Sequence, residues 1–276
     1  MLLGFWLLRV ADAPRSVQLQ QVVVTTVAAA TFVVVVRGRG WRSTGDSQWP
    51  PLALAASLFI PMLAGASAGP ERWLVLGGTR LYVAPIVLPI LLFLLGAAQP
   101  PAAIYAASVV TVALALAIQP DASQVTAFAL AMLVLLSGWR AHPLSRLALW
   151  ALLLCAAVAA WRTPDPLAPV RYVEGVFDVA ASVSPLALLA TLVSIALPVI
   201  ALVHIARATR SRCPLAVAVY YATLFALAPL QTTPVPLLGF GAGPILGYLL
   251  VASVVSRSFV SQAAAHSMAA QAERVH

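Results

Sequence analysis

Nine long apolar segments run through the 276 residues and constrain the fold more than any other feature. They cover residues 17–36, 51–69, 82–97, 101–118, 123–139, 145–160, 186–206, 214–230 and 240–256. A membrane-spanning helix needs about 20 mostly apolar residues, and fewer when it is packed inside a bundle. Because the segments are continuous rather than alternating, they predict helices and not the strands of a barrel. The predicted fold class is therefore all-α, a polytopic integral membrane helical bundle of about nine transmembrane helices.

The few charged residues predict the orientation of this bundle. Only 9% of the chain is charged, and short loops rich in arginine face the cytoplasm. Arginines cluster after the first segment, between the fifth and sixth, between the seventh and eighth, and after the ninth. The opposite, outer side holds six of the eight acidic residues, namely Asp12, Glu71, Asp121, Asp165, Glu174 and Asp178. We therefore predict an outer N-terminus and a cytoplasmic C-terminus.

Composition also limits the possible partners and indicates the domain organisation. The net charge is +8, but no loop combines a dense basic run with stacking aromatics, so we predict no nucleic-acid partner. Membrane lipid is the simpler partner for arginines at the ends of spans. No long polar linker divides the chain. We predict an N-terminal anchor or half-span at 1–16, a single membrane domain at 17–256 and a cytoplasmic tail at 257–276.

Three segments on the predicted outer side differ from ordinary loops. Residues 71–78 hold an Arg-Trp pair, which suits a membrane interface because indole lies at headgroup depth and guanidinium binds phosphate. Residues 119–121 are Gln-Pro-Asp, and the aspartate can cap the helix that follows. Residues 231–244 are rich in Gly and Pro, and glycine lets a backbone approach another backbone or a ligand. Taken singly, each is also ordinary turn, cap or interface chemistry.

In this order and spacing the segments resemble the SEDS family (shape, elongation, division and sporulation) of the RodA, FtsW and SpoVE type. The family's Arg-Trp-Ile/Leu-x-Leu-Gly segment is matched by residues 72–77, and its Gln-Pro-Asp-Leu-Gly-Thr segment by residues 119–121. Its Pro-Leu/Phe-x-Ser-Tyr-Gly-Gly-Ser segment, which opens the last span, is similar to residues 236–243. A weaker similarity to a fourth, Trp-Glu-Asp-Pro segment lies at 161–166. The resemblance covers residues 17–256 and implies a multi-pass protein of the bacterial inner membrane.

The chain departs from the family pattern and resembles a shortened, divergent member. The family normally has ten spans, and the first is lost here or reduced to residues 1–10. The family's Gln-Pro-Ser-Glu stretch becomes Tyr82-Val83-Ala84-Pro85, so its glutamate is replaced by proline, and the lysine that follows falls at Leu88. Leu-Gly-Thr after the Gln-Pro-Asp becomes Ala122-Ser123-Gln124. The large outer loop of the family shrinks to residues 162–185.

Family members polymerise glycan strands from lipid-linked disaccharide pyrophosphate at the outer membrane face, beside a partner transpeptidase. The resemblance thus implies a polyprenyl-linked sugar as substrate and a transpeptidase-type or other membrane protein as partner. The transfer needs a base near the acceptor hydroxyl and cationic or metal help for the pyrophosphate, so a divalent cation is a candidate cofactor. Asp165 matches the family's proposed catalytic aspartate and would be the base, although Pro-Asp-Pro is also ordinary turn chemistry. The predicted substrate-binding residues are Arg72, Trp73, Arg80, Asp121, Arg162, Arg171, Gly239, Gly241 and Gly243.

Three functions stay open at this point. The first is a reduced glycosyltransferase of cell-envelope synthesis, acting in cell shape or division on a polyprenyl-linked glycan. The second is a non-catalytic membrane scaffold or partner subunit of an envelope-synthesis complex. The third is a small transporter or lipid flippase, which only the number of spans suggests. The apolar segments carry no Asp, Glu or Arg away from their ends, and this disfavours an ion-coupled carrier, which keeps ionisable groups near the midplane.

Overall fold

A computed structural model describes residues 2–37, 49–64, 72–76, 79–164 and 169–273, with side chains to residue 260 except those of residues 76 and 79. Its helices are α1 (Leu2–Val10), α2 (Arg15–Arg37), α3 (Pro50–Ser57), α4 (Ile60–Leu63), α5 (Ala84–Ala98), α6 (Ala102–Ile118), α7 (Ala122–Leu136), α8 (Pro143–Arg162), α9 (Val176–Val183), α10 (Pro185–Thr209), α11 (Arg212–Leu227) and α12 (Ala242–Glu273). Two short strands, β1 (Trp73–Leu76) and β2 (Thr79–Tyr82), form an antiparallel hairpin. Asp165 lies outside the described residues.

The described helices confirm a polytopic helical membrane fold. By length and composition, five helical segments can cross a membrane: Arg15–Arg37, Pro143–Arg162, Pro185–Thr209, Arg212–Leu230 and Ala242–Val260. Three shorter apolar helices, α5, α6 and α7, have 15 to 17 residues. The predicted segment at 51–69 contains the short helices α3 and α4. Every predicted apolar segment thus contains helix.

Prolines and polar caps set several helix boundaries. Pro143 and Pro185 begin α8 and α10, where a missing N–H costs nothing because the first turn has no internal acceptor. The Ser184 hydroxyl accepts a hydrogen bond from the Ala187 N–H at 3.1 Å and so caps α10. The turn after α6 contains Pro120, which cannot continue a helix.

Buried and exposed side chains divide the bundle into a centre and a rim. The α7 side chains of Val125, Phe128 and Met132 are fully buried, as are many side chains of α5 and α11. On α2 and α10, by contrast, apolar side chains such as Val34 and Leu189 are more than half exposed. Helices that are apolar and outward-facing suit a lipid environment, so α2 and α10 lie at the rim.

The helix connections gather at two opposite ends of the bundle. One end, which we call the Asp121 end, holds the hairpin, the starts of α2, α5, α7 and α10, and the connection from α11 to α12. There the Gln119 amide donates to the Leu58 carbonyl at 2.6 Å. The other, the Arg212 end, holds the connections α5–α6, α7–α8 and α10–α11. Its contacts include stacked rings of Tyr105 and Trp139, whose centroids are 4.4 Å apart.

Three elements differ from or refine the sequence predictions. The β1–β2 hairpin was not predicted, because four-residue strands leave little periodicity. The tail predicted at 257–276 is helical to Glu273 and continues α12 without a break. Helix α1 has nine residues, which rise about 14 Å and cannot cross a hydrocarbon core of about 30 Å. It packs against α2, α9 and α10 at the Asp121 end instead.

Candidate functional site

Tyr82 lies at the centre of the Asp121 end. In the hairpin register it faces Trp73, and the two rings stack with centroids 4.8 Å apart. The Arg72 guanidinium carbon lies 5.9 Å from the Tyr82 ring centroid, within the range of a cation–π contact. The Tyr82 hydroxyl donates a hydrogen bond to the Asp121 carboxylate. Tyr82 therefore joins two of the predicted segments, residues 71–78 and residues 119–121.

Asp121 is the N-cap of α7 and is completely buried. One carboxylate oxygen accepts from the Tyr82 hydroxyl, and the other accepts from the Gln124 N–H at 3.4 Å. This is the capping arrangement that the Gln-Pro-Asp sequence predicted. A buried carboxylate is costly unless it is hydrogen-bonded, and the two donors meet that need.

The polar cluster continues from Asp121 into α11 and the segment before α12. The buried Gln124 amide accepts from the Tyr220 hydroxyl and donates to the Thr233 hydroxyl at 3.4 Å. The Ser123 and Thr232 hydroxyls are 2.5 Å apart. The third predicted segment, residues 231–244, is thereby connected to the second. All three segments meet at one end of the bundle, but they meet as a packed polar core rather than an open groove.

The glycines of the third segment serve close backbone packing. A Cβ on Gly239 would lie 2.3 Å from the Val173 carbonyl oxygen, and one on Gly243 would lie 2.2 Å from the Tyr82 carbonyl oxygen. Both distances are far inside van der Waals contact, so only glycine fits there. A Cβ on Gly241 would meet no backbone atom and would lie 3.3 Å from the Pro244 side chain and 3.9 Å from that of Pro234. Backbone atoms fill the space beside Gly239 and Gly243, so neither glycine leaves room for a ligand.

The predicted arginines fall in different surroundings at the same end. Arg72 is 8% exposed, whereas Arg80 on β2, Arg162 at the end of α8 and Arg171 are exposed. The residue before Arg162, Trp161, donates from its indole N–H to the Thr126 hydroxyl at 3.0 Å and so fixes the end of α8 beside α7. The exposed arginines are therefore available to an anion outside the packed core.

The segment around Arg171 is held against the glycine-rich segment by backbone hydrogen bonds. The Val235 N–H donates to the Val173 carbonyl at 3.2 Å, and the Phe240 N–H donates to the Tyr172 carbonyl at 2.9 Å. The rings of Tyr172 and Phe240 meet edge to face, with centroids 6.3 Å apart. The part of the outer loop that follows Asp165 in the sequence is thus anchored to the third segment.

The metal-ligating side chains of the described residues do not form a divalent-cation site. No three His, Cys, Asp or Glu side chains cluster within the described ranges. Asp121, the one buried carboxylate in those ranges, is engaged with Tyr82 and Gln124. Hard cations need several oxygen ligands, so we derive no step through such an ion.

Sequence reasoning missed Tyr82, Gln124 and Tyr220. Tyr82 and Gln124 stand at places where the chain departs from the SEDS pattern, so the resemblance assigns neither of them a role. A polar residue near the start of an apolar helix, such as Gln124, could have indicated the buried polar cluster, because polar groups that enter an apolar core need hydrogen-bond partners. Tyr220 lies inside an apolar segment and gave no sequence signal.

Comparison with known proteins identifies this architecture. No family model matches the sequence, and no curated protein matches it. Among solved structures, the chain is similar to the rod shape-determining protein RodA of Thermus thermophilus, in the crystal structure of an aspartate-to-alanine variant. The TM-score is 0.67 at 18% identity, and the match covers 93% of this chain and 92% of that one. The chain therefore has the RodA-type fold that its resemblance to the SEDS family predicted.

Proposed function

We propose that this protein is a membrane protein of cell-envelope synthesis that holds a polyprenyl-linked, pyrophosphate-bearing sugar at its Asp121 end. The RodA-type fold, over 93% of the chain, is the observation that carries this proposal. That end carries the exposed arginines Arg80, Arg162 and Arg171 and the β1–β2 hairpin, which contains Trp73. Guanidinium groups pair with phosphate in two parallel hydrogen bonds, and an indole suits the depth at which a lipid headgroup lies. By analogy with the RodA-type fold we place the protein in a bacterial inner membrane, with the Asp121 end outward.

Two roles are compatible with this binding. In the first, the protein is a reduced glycosyltransferase whose base is Asp165, with a transpeptidase-type partner completing the site. In the second, it is a non-catalytic scaffold that presents the substrate or a partner. Asp121 and Tyr82 are buried and hydrogen-bonded to each other, so the Asp121 carboxylate has no access to substrate and the first role depends on Asp165 as its base.

The experiment is a binding and turnover assay on the full chain in lipid nanodiscs, with undecaprenyl-pyrophosphate-linked disaccharide as ligand. Arg80→Gln should weaken binding about tenfold, since a hydrogen bond to a charged group contributes about 1.5–3 kcal/mol. Arg207→Gln, at the opposite end, is the matched control and should bind as the parent does. Equal binding by all three proteins would contradict the proposal.

Turnover separates the two roles. We expect little or no polymerisation by the isolated chain, because its short outer loop offers few groups to hold donor and acceptor, and a misplacement of about 1 Å can cost on the order of 100-fold in rate. Robust polymerisation that Asp165→Asn abolishes would establish the enzyme. Binding that survives in Asp165→Asn, with no polymer even beside co-purified partners, would establish the scaffold.

A further inference from the structure

A second polar site lies at the Arg212 end, on the far side of the molecule from the proposed substrate. It is a cavity of about 360 Å³ between the ends of α5, α6, α7 and α11. Its polar and aromatic lining consists of Gln99, Tyr105, Trp139, Arg210, Ser211 and Arg212. The volume falls in the range of small-ligand pockets.

The charge of this cavity is positive. Arg210 and Arg212 both line it and both are exposed. The four acidic side chains that the structure describes, Asp12, Asp121, Glu174 and Asp178, all lie at the Asp121 end. Within the described ranges, no carboxylate neutralises the two guanidinium groups. An anion is therefore the ligand class that the cavity favours.

Tyr105 gives an independent indication of a ligand. Its side chain is 2% exposed, and its hydroxyl has no hydrogen-bond partner within the described part of the chain. The ring is held by stacking on Trp139, with an interplanar angle of 15°, so the hydroxyl cannot easily turn elsewhere. A buried hydroxyl without a partner costs free energy, and such groups in native structures normally have one. A bound acceptor in the cavity would supply it.

Backbone conformation at the rim supports the same conclusion. Helices α5 and α10 end on Gln99 and Arg210, whose φ angles are 42° and 52°. Glycine adopts this left-handed conformation at lower cost, yet the chain keeps two long polar side chains there, and both line the cavity. The first turn of α11 also begins at the cavity, with Ser211 as its cap, and the N-terminus of a helix attracts anions.

We propose that this cavity binds a phosphate group. The two guanidinium groups would pair with its oxygens, the Tyr105 and Ser211 hydroxyls would donate to it, and the start of α11 would face it. The phosphate has two possible sources, the phosphodiester of an anionic lipid headgroup and free inorganic phosphate. The site is independent of the proposed envelope function, because it lies at the opposite end of the bundle and shares no residue with it.

Native mass spectrometry of the full chain tests the lipid source, with phosphatidylglycerol as probe and phosphatidylcholine as the uncharged control lipid. Inorganic phosphate, titrated by calorimetry into protein freed of lipid, tests the soluble source. The test variants are Arg210→Gln/Arg212→Gln and Tyr105→Phe, which removes only a hydroxyl. Arg207→Gln is the control, since it lies on the last turn of α10 and does not line the cavity. All variants are first checked for a single monodisperse species.

We expect retention of one of the two probes to fall about tenfold or more in the double variant and several-fold in Tyr105→Phe, with Arg207→Gln unchanged. Whichever probe shows this pattern is the source. As a second readout, the bound probe should slow maleimide labelling of Cys213, which also lines the cavity, in a Cys155→Ala background. Equal retention by all variants, or binding of neither probe by the parent protein, would overturn the proposal. If the double variant misfolds, the comparison of Tyr105→Phe with the parent still tests it.

Discussion

Single side chains at the Asp121 end carry more than one contact each, and Tyr82 shows this most clearly. Its ring stacks on Trp73, its hydroxyl donates to Asp121, and its carbonyl oxygen lies 2.2 Å from the position that a Cβ on Gly243 would take. A change in one of these groups need not disturb the other two. The contributions of ring, hydroxyl and backbone can therefore be separated by substitution.

At the scale of one hydroxyl, Tyr82→Phe should lower the free energy of unfolding by about 1.5–3 kcal/mol, the usual contribution of a hydrogen bond to a charged group. The ring and its stacking remain, so the loss reports the donor to Asp121 alone. The measurement is denaturant unfolding in detergent micelles, followed by tryptophan fluorescence. Tyr172→Phe is the matched control at the same end, because the Tyr172 hydroxyl has no hydrogen bond within the described residues, and it should change little. Similar losses in both variants would show that the Asp121 bond contributes nothing specific.

At the scale of elements, α12 is positioned by glycines that let backbones touch. Gly243 lies against the Tyr82 carbonyl, and a Cβ on Gly247 would fall 1.8 Å from the Pro85 carbonyl oxygen. Helix α12 therefore packs directly on the end of β2 and the start of α5. At these positions the glycines serve backbone packing, whereas the sequence alone left both backbone approach and ligand approach open.

This packing predicts a large loss of stability for one of two nearby substitutions and little change for the other. In a helix, alanine is favoured over glycine by about 1 kcal/mol, yet Gly243→Ala should destabilise by about 1–3 kcal/mol or more because the added methyl collides with a carbonyl that cannot move freely. Gly241→Ala meets the Pro244 ring at 3.3 Å and the Pro234 side chain at 3.9 Å, without a backbone collision, and should stay within about 1 kcal/mol of the parent. The midpoint of thermal unfolding, measured on both proteins in the same detergent, checks the ranking. A Gly243→Ala protein as stable as the parent would refute direct backbone contact.

The elements also show what sequence could and could not predict. Apolar length and continuity predicted helices at all nine segments, because lipid leaves the backbone only helices or closed barrels and the segments lack the alternation of a barrel. The hairpin was not predicted because its strands are too short for periodicity. The continuation of α12 to Glu273 was not predicted because a helix can extend from an apolar span into a more polar tail. At the site, Asp121 was predicted as a cap from Pro-Asp, whereas Tyr82 and Tyr220 are joined to their partners only by tertiary contact.

At the scale of the whole molecule, the two ends differ in chemistry. The Asp121 end mixes acidic and basic residues around a packed polar core, and the described part of the Arg212 end carries arginines around an open cavity. The two proposed ligands, a lipid-linked sugar and a phosphate, would then bind on opposite faces of one membrane. The proposed binding of an outer-face glycan precursor depends on which end of the bundle faces outward, and only the arginine bias of the loops predicts that orientation.

The orientation itself is open to a direct test with two serine- or threonine-to-cysteine variants, made in a background where Cys155 and Cys213 are alanine. Thr163, beyond α8 at the Asp121 end, and Ser137, beyond α7 at the Arg212 end, are both exposed. A membrane-impermeant maleimide should label Thr163→Cys in intact spheroplasts and Ser137→Cys only after permeabilisation, because a charged reagent does not cross the hydrocarbon core. The reverse pattern would place the Asp121 end in the cytoplasm, and it would contradict binding of an outer-face glycan precursor there. It would leave the phosphate cavity of the Arg212 end intact, since that site depends on local geometry and not on the side of the membrane it faces.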